Sequence, residues 1–251
     1  MVTGELAGRV ALVTGGSRGI GRAICRILAR EGADVAINYV NDAAAAREAE
    51  ALVVAEGVKC AVVKTDVSEP EQVDAMVAQT ERDLGPIDLL VTSAGMVVPR
   101  LGTEVDFATW QRVMRVNLDG TFLPVMAVKG GMLERKFGRI VCIASIAALR
   151  PRPLQMPYGV SKAAVIAFAR SCSEAFAPEV RINSIAPGLI ETEMAGKLSP
   201  NARRAMIEGT PMKRIGAPEE IAEMALFLLS ERASFTTGQC FVASGGRVTL
   251  P

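Results

Sequence analysis

The chain has 251 residues, half of them hydrophobic, a net charge of +1 and no histidine. Near-neutral charge with no basic block excludes nucleic acid or an anionic membrane surface as the main partner. The missing histidine excludes Ser-His-Asp and Cys-His nucleophiles and histidine-bearing zinc sites, so acid–base work near neutrality falls to a perturbed Tyr, Lys, Asp, Glu or Cys.

Two further absences bear on compartment. The longest apolar run, 140–149, is too short to span a bilayer, and the first residues show no basic region followed by an apolar stretch. The five cysteines are odd in number and widely spaced, with no Cys-x-x-Cys pair. That usage predicts reduced, mostly buried thiols in a cytoplasmic protein.

The first strand is predicted over 9–14. It stops at Gly15-Gly16-Ser17-Arg18-Gly19-Ile20-Gly21, and a helical pattern with Ile24, Ile27 and Leu28 follows. A glycine-rich turn between strand and helix lets backbone approach a pyrophosphate, and the helix start favours the negative charge. The second strand, 34–39, ends at Asn38-Tyr39, where an NAD-selective site places a carboxylate for the ribose; the first acid beyond it is Asp42. Arg18 offers a guanidinium to a 2′-phosphate instead, which favours NADP(H) over NAD(H).

An alanine-rich helix over 43–56 and a third strand over 58–65 come next, closed by Asp66-Val67. Asp66 suits either an adenine amino group or the turn itself. Ser68-Glu69-Pro70-Glu71 predicts a capping box at the head of a helix running to Leu84. Gly85-Pro86 stops it, and the fourth strand, 87–92, leads to Ser93-Ala94-Gly95. Residues 107–136 read as one long helix carrying Asn117, with a bend near Pro124. A fifth strand over 138–145 ends in Ser145.

After a proline-rich loop holding Arg150 and Arg152, a helix is predicted from Tyr158 to about Ala177. Within it, Tyr158 and Lys162 are four apart and share a face. An ammonium close to a phenol favours the phenolate, which moves a pKa of ~10 towards neutrality. Such a phenol serves as proton donor to a developing alkoxide or as acceptor from an alcohol. A sixth strand over 180–186 leads into Pro187-Gly188-Leu189-Ile190-Glu191-Thr192. Met194, Leu198, Met206 and Ile207 mark a mobile, partly apolar segment. A last helix opens at 217–220 and a seventh strand covers 238–242. Strands and helices alternate throughout, which predicts one doubly wound α/β domain with helices on both faces of a parallel sheet. No linker divides the chain.

Taken together, Thr14-Gly15-x-x-x-Gly19-x-Gly21, Asp66-Val67, Ala94-Gly95, Asn117, Ser145, Tyr158-x-x-x-Lys162, Pro187-Gly188 and Thr192 resemble the short-chain dehydrogenase/reductase family along essentially the whole chain. Within it the chain is most similar to 3-oxoacyl-[acyl-carrier-protein] reductases. The resemblance implies a Rossmann-type domain over residues 1–251 with seven strands in the order 3-2-1-4-5-6-7. It implies an oxidoreductase that reduces a carbonyl to an alcohol with NADPH, the substrate a 3-oxoacyl thioester; the alternative is an alcohol, sugar or steroid dehydrogenase. A non-catalytic dinucleotide-binding regulator is the remote reading, and the retained tyrosine and lysine speak against it.

The implied catalytic set is Asn117, Ser145, Tyr158 and Lys162. Tyr158 is the general acid or base and Ser145 binds the substrate oxygen. Lys162 lowers the tyrosine pKa and holds the nicotinamide ribose, and Asn117 helps hold a water of the proton relay. Gly15, Ser17, Arg18, Gly19, Ile20, Gly21, Asn38, Tyr39, Asp66, Val67, Ser93, Ala94, Gly95, Tyr158, Lys162, Pro187, Gly188, Ile190 and Thr192 form the implied cofactor site, with no metal. A homotetramer is also implied, the helices bearing Asn117 and Tyr158 packing through Trp110, Val113, Phe168 and Ala169. The chain departs from the family pattern at Ser93, where asparagine is usual and a shorter side chain loosens a strand-to-strand tie, and at Ser244, where aspartate is usual. The basic docking residues of carrier-protein reductases are only partly present, with Arg135 and Lys136 the candidates.

Overall fold

Strand residues of this chain bury on both faces, and their alternation decides which helices cover them. The computed structural model describes residues 4–196 and 198–249. In β1 (Val10–Thr14) all five residues are buried. Ala11 and Val13 belong to one core cluster, Val10 and Leu12 to the other. The same period of two splits β5 (Gly138–Ile143), with Val141 and Ile143 on one side and Ile140 and Cys142 on the other. The first face is covered by α1 (Gly19–Arg30) and α9 (Pro218–Leu229), the second by α3 (Pro70–Leu84), α5 (Gly120–Glu134) and α6 (Met156–Phe176). Burial on both sides explains why these strands are near-continuous apolar runs.

The remaining strands are β2 (Asp34–Tyr39), β3 (Cys60–Lys64), β4 (Leu89–Thr92), β6 (Val180–Pro187) and β7 (Cys240–Ala243). The sheet has seven strands in the order β3-β2-β1-β4-β5-β6-β7, as expected, and every pairing is parallel. Going out from β1 the chain winds first towards β3 and then, from β4, the other way. The carboxyl ends of β1 and β4 therefore flank the crevice where a ligand binds in such sheets.

Four local expectations are corrected. Residues 107–136 are not one helix: α4 (Phe107–Met114) passes through a π turn (Arg115–Asp119) into α5. The wide turn lies just ahead of Pro124, whose ring lies inside α5, so the irregularity falls upstream of the proline. The capping box at Ser68 does not form. Ser68 donates its hydroxyl to Asp66 Oδ1 (2.7 Å), and Glu69 is the cap residue, its side chain making no cap bond. The segment after Thr192 is helical, as α7 (Glu193–Gly196) and α8 (Pro200–Glu208), the latter capped by Ser199. Finally, Val113 and Ala169 are core residues at 0% and 1% exposure and offer nothing to a partner. The apolar surface of this face is Phe107 and Phe122, with the Phe122 ring against Phe168 at 5.7 Å.

Candidate active site

The glycine-rich turn between β1 and α1 sets one wall of a cleft of about 1360 Å³. Arg18 precedes α1 with no side-chain cap, and the first turn carries no acid. The free N–H groups and the positive end of the helix therefore face the cleft. Glycine is required here for two reasons. At Gly21 a Cβ would lie 2.2 Å from the Gly15 carbonyl oxygen, so that position serves the packing of α1 on the turn. Gly19 has φ +53 with only the Thr192 side chain near its would-be Cβ, at 3.1 Å, and leaves backbone open to an approaching anion.

Asn38, at the end of β2, is turned inward. Its Oδ1 accepts from Gly15 N–H (3.1 Å) and its amide donates to the Thr65 carbonyl (3.0 Å), tying β1, β2 and β3 at the cleft edge. No carboxylate stands at this strand end. Asp42, the first acid, caps α2 (Ala43–Val54) by accepting from Ala45 N–H at 2.9 Å. Arg18 is exposed and pairs with Glu193 at 2.8 Å. Asp66 Oδ1 accepts from both the N–H and the hydroxyl of Ser68, so the turn-capping role is filled while the residue still lines the cleft.

The β1–β4 edge at Ser93 is held through backbone. Thr14 Oγ1 accepts from Ser93 N–H (3.1 Å) and Ala94 N–H (3.3 Å), so the strand ends are tied by the threonine hydroxyl. Ser244 Oγ closes a turn with Val248, accepting from its N–H at 3.1 Å. Arg135 and Lys136 are displaced from the site altogether. They precede β5, at the amino end of a parallel strand whose carboxyl end borders the cleft, and Arg135 donates to the Ile87 carbonyl at 2.7 Å.

The cleft brings together Ser145, Tyr158 and Lys162. Ser145 follows β5 and caps a 3₁₀ turn (Ile146–Ala148), accepting from Ala147 N–H at 3.1 Å. Tyr158 lies in the first turn of α6, just after Pro157. Burial raises its phenol pKa, and Ser145 offsets part of this by favouring the phenolate. Lys162 stands beside the tyrosine ring, as the four-residue spacing predicts. Its Nζ lies 6.0 Å from the Tyr158 ring centre and donates to the Ile143 carbonyl at 2.8 Å. The lysine is itself 3% exposed, and burial brings its pKa down to about 8.

Asn117 stands behind the wall. It is fully buried in the π turn, donates to Ser161 Oγ (2.9 Å) and to the Met96 carbonyl (3.0 Å), and accepts from Met96 N–H (2.8 Å). Ser161 Oγ in turn donates to the Tyr158 carbonyl at 2.7 Å. The side chain of Asn117 thus fixes the post-β4 loop against the first turns of α6. The cofactor residues expected from the sequence, from Gly15 to Thr192, all line the cleft. Thr14 opens the glycine motif, whereas Ser161 had no sign in the sequence beyond its place between Tyr158 and Lys162. Gln155, Leu198 and Met206 line the substrate end, and only the fold brings them there.

A family model described as Enoyl-(Acyl carrier protein) reductase matches residues 15–247. The chain belongs to the short-chain dehydrogenase/reductase family. It is 38% identical to the 3-oxoacyl-[acyl-carrier-protein] reductase FabG of Chlamydia muridarum, over 96% of this chain and 98% of that one. It is likewise 38% identical to the acetoacetyl-CoA reductase of Allochromatium vinosum, over 95% and 98%. The crystal structure of a 3-oxoacyl-[acyl-carrier protein] reductase from Brucella melitensis superposes with a TM-score of 0.92 at 31% identity, covering 99% of this chain and 94% of that one. As a short-chain dehydrogenase/reductase, this protein is an oxidoreductase acting on CH–OH groups with a nicotinamide dinucleotide. The uncapped α1 start and the open backbone at Gly19 fit the pyrophosphate of such a cofactor.

Proposed function

We propose that this protein is a single-domain, cytoplasmic NADPH-dependent carbonyl reductase whose substrate is a 3-oxoacyl thioester. The observation that carries the reading is that one cleft holds Ser145, Tyr158 and Lys162 opposite a helix start left open to a pyrophosphate. The names printed for the Chlamydia and Allochromatium relatives support the substrate class.

The turn from Gly15 to Gly21 would hold the pyrophosphate and Asp66-Val67 the adenine, with Ser93-Ala94-Gly95 and the segment from Pro187 to Thr192 along the rest of the dinucleotide. Arg18 would meet the 2′-phosphate. Its pairing with Glu193 is exposed, and such pairs are worth under about 1 kcal/mol, so exchange for a dianionic phosphate is favourable. NADPH supplies the hydride. Ser145 donates a hydrogen bond to the substrate carbonyl oxygen and holds it beside Tyr158. As negative charge develops on that oxygen, the Tyr158 hydroxyl gives it a proton. The raised phenol pKa keeps Tyr158 protonated before the reaction, which suits a general acid. Lys162, held against the Ile143 carbonyl, would contact the nicotinamide ribose. With a pKa of about 8 it exchanges protons near neutrality and so can restore the one Tyr158 loses. Asn117 acts by position, through Ser161 and Met96.

Tyr158→Phe tests this reading. Turnover of an acetoacetyl thioester falls by about 10²–10⁴-fold, while calorimetric binding of NADPH is retained; a variant within a few-fold of the parent overturns the role of Tyr158. We also propose a homotetramer, supported by the exposed Phe107 and Phe122 at 71% and 42%. Sedimentation at micromolar concentration distinguishes it from a 26.5 kDa monomer.

A further inference from the structure

An arginine with no partner among the described residues lines the substrate end of the cleft, and two more bring their charge to it. Arg152, in the loop between β5 and α6, lines the cleft together with Tyr158, Leu198 and Met206. Its side chain makes no hydrogen bond and no ion pair with the described residues. Arg247, from the turn after β7, does not line the cleft itself but bonds to a residue that does. Its Nη1 donates to the carbonyl of Met206 (2.8 Å), and its Nε is buried with no partner among the described residues. Arg150 is exposed in the same loop as Arg152. Each of the three lies in reach of another's charge: Arg247 and Arg150 add to burial in lowering Arg152, and Arg150 adds to burial in lowering Arg247.

None of the ion pairs among the described residues includes any of them. Neighbouring arginines are treated differently by the fold. Arg203 pairs with Glu191 and Arg214 with Glu220. Like charges gathered without a carboxylate cost stability, as does a buried donor left unmade. A bound anion relieves both.

We propose that Arg152 and Arg247, with Arg150 in the loop of Arg152, receive an oxyanion carried by the substrate, so that the enzyme selects carbonyl compounds bearing a phosphate or a carboxylate away from the reacting carbon. The proposal deepens the carbonyl-reductase reading and rests on it. Within that reading there are two sources for the anion: the phosphate of a pantetheine-type thioester, or the carboxylate of a free oxo acid. A guanidinium meets either through paired N–H donors. The exposed apolar side chains at this mouth, Leu154 and Met194, would cover the carbon chain between anion and carbonyl.

The test compares two matched substrate pairs with saturating NADPH on the full-length protein. One pair is the acetoacetyl thioester of 4′-phosphopantetheine and that of pantetheine without the phosphate. The other is acetoacetate and its methyl ester. The parent enzyme should favour the anionic member of one pair by about tenfold or more in kcat/KM, mainly through KM, and the pair that shows the preference identifies the source. Arg152→Gln should lower that preference by about tenfold, and Arg152→Lys should restore part of it. Because the Arg152 side chain holds nothing in the fold and stands among like charges, its replacement does not lower the unfolding midpoint; Arg247→Gln also loosens Met206 and is the secondary variant.

Calorimetric titration with 4′-phosphopantetheine and with acetoacetate reads the site without turnover. An affinity that falls about tenfold in Arg152→Gln supports the subsite even if no ketone is reduced, in which case only the carbonyl-reductase reading fails. No preference in either pair, or an Arg152→Gln variant that loses the charged and uncharged members equally or neither, overturns the proposal.

Discussion

The side chains at the cleft are set by what each is bonded to, more than by their spacing along the chain. Tyr158 and Lys162 share a face of α6, yet the lysine ammonium is directed at the Ile143 carbonyl and the phenol pKa rises with burial. A four-residue interval fixes the face but not which neighbour a flexible side chain selects, and that neighbour comes from β5. Arg18 is a second case. The sequence placed it correctly on the cleft wall, and the fold adds Glu193 as its partner. Replacing Arg18 with alanine should raise KM for NADPH by about tenfold, the weight of one charge-assisted contact of ~1.5 kcal/mol. KM for NADH should change little. Initial rates with the two cofactors check this, and equal losses for both would remove the 2′-phosphate role.

At the scale of elements, α6 carries the tyrosine and must approach the 3₁₀ turn that carries Ser145. Gly159 permits the contact: a Cβ there would lie 2.8 Å from the Ala147 carbonyl oxygen, which is backbone and cannot swing aside. Gly159→Ala should therefore shift the start of α6 away from Ser145. Overpacking of this kind costs about 1–3 kcal/mol, and a displacement near 1 Å at reacting groups reduces kcat by about a hundredfold. Denaturant midpoints and steady-state kinetics measure the two effects separately, with NADPH affinity retained. The seven strands and their order were legible because each strand is an apolar run closed by Gly, Asp or Ser, and because the motifs resemble one family in sequence order. The π turn at 115–119 was not legible, since its residues have ordinary helical composition and Asn117 is held there by Met96 and Ser161, from other elements. Arg135 and Lys136 show a related limit: charge is visible in sequence, but the end of the sheet at which it emerges is not.

For the whole molecule, the ionisable groups buried around the sheet make stability depend on pH in opposed ways. Cys25 and Cys142 are buried with raised pKa values, Cys142 to about 12. Above about pH 8.5 the unfolded thiols lose protons that the native ones keep, so these groups destabilise the fold as pH rises. Lys162 acts in the other sense. Its native pKa is about 8, against 10.5 unperturbed. Between those values the unfolded chain binds the proton and the native chain releases it, so stability gains with pH across that window and the gain is complete above it. Lys162→Met removes this contribution and takes from Cys142 a charge that helps lower its pKa, so that thiol stays protonated in the native variant across the window. The comparison is best made as a difference: stability of the methionine variant minus that of the parent, from urea unfolding at pH 7 and at pH 10.5. The lost hydrogen bond to Ile143 shifts both values alike, whereas the lysine's own titration makes the difference smaller at the higher pH by about 3 kcal/mol. A difference that stays level across the window would show that the ammonium is solvated in the native protein, and would withdraw Lys162 as a group able to exchange protons near neutrality.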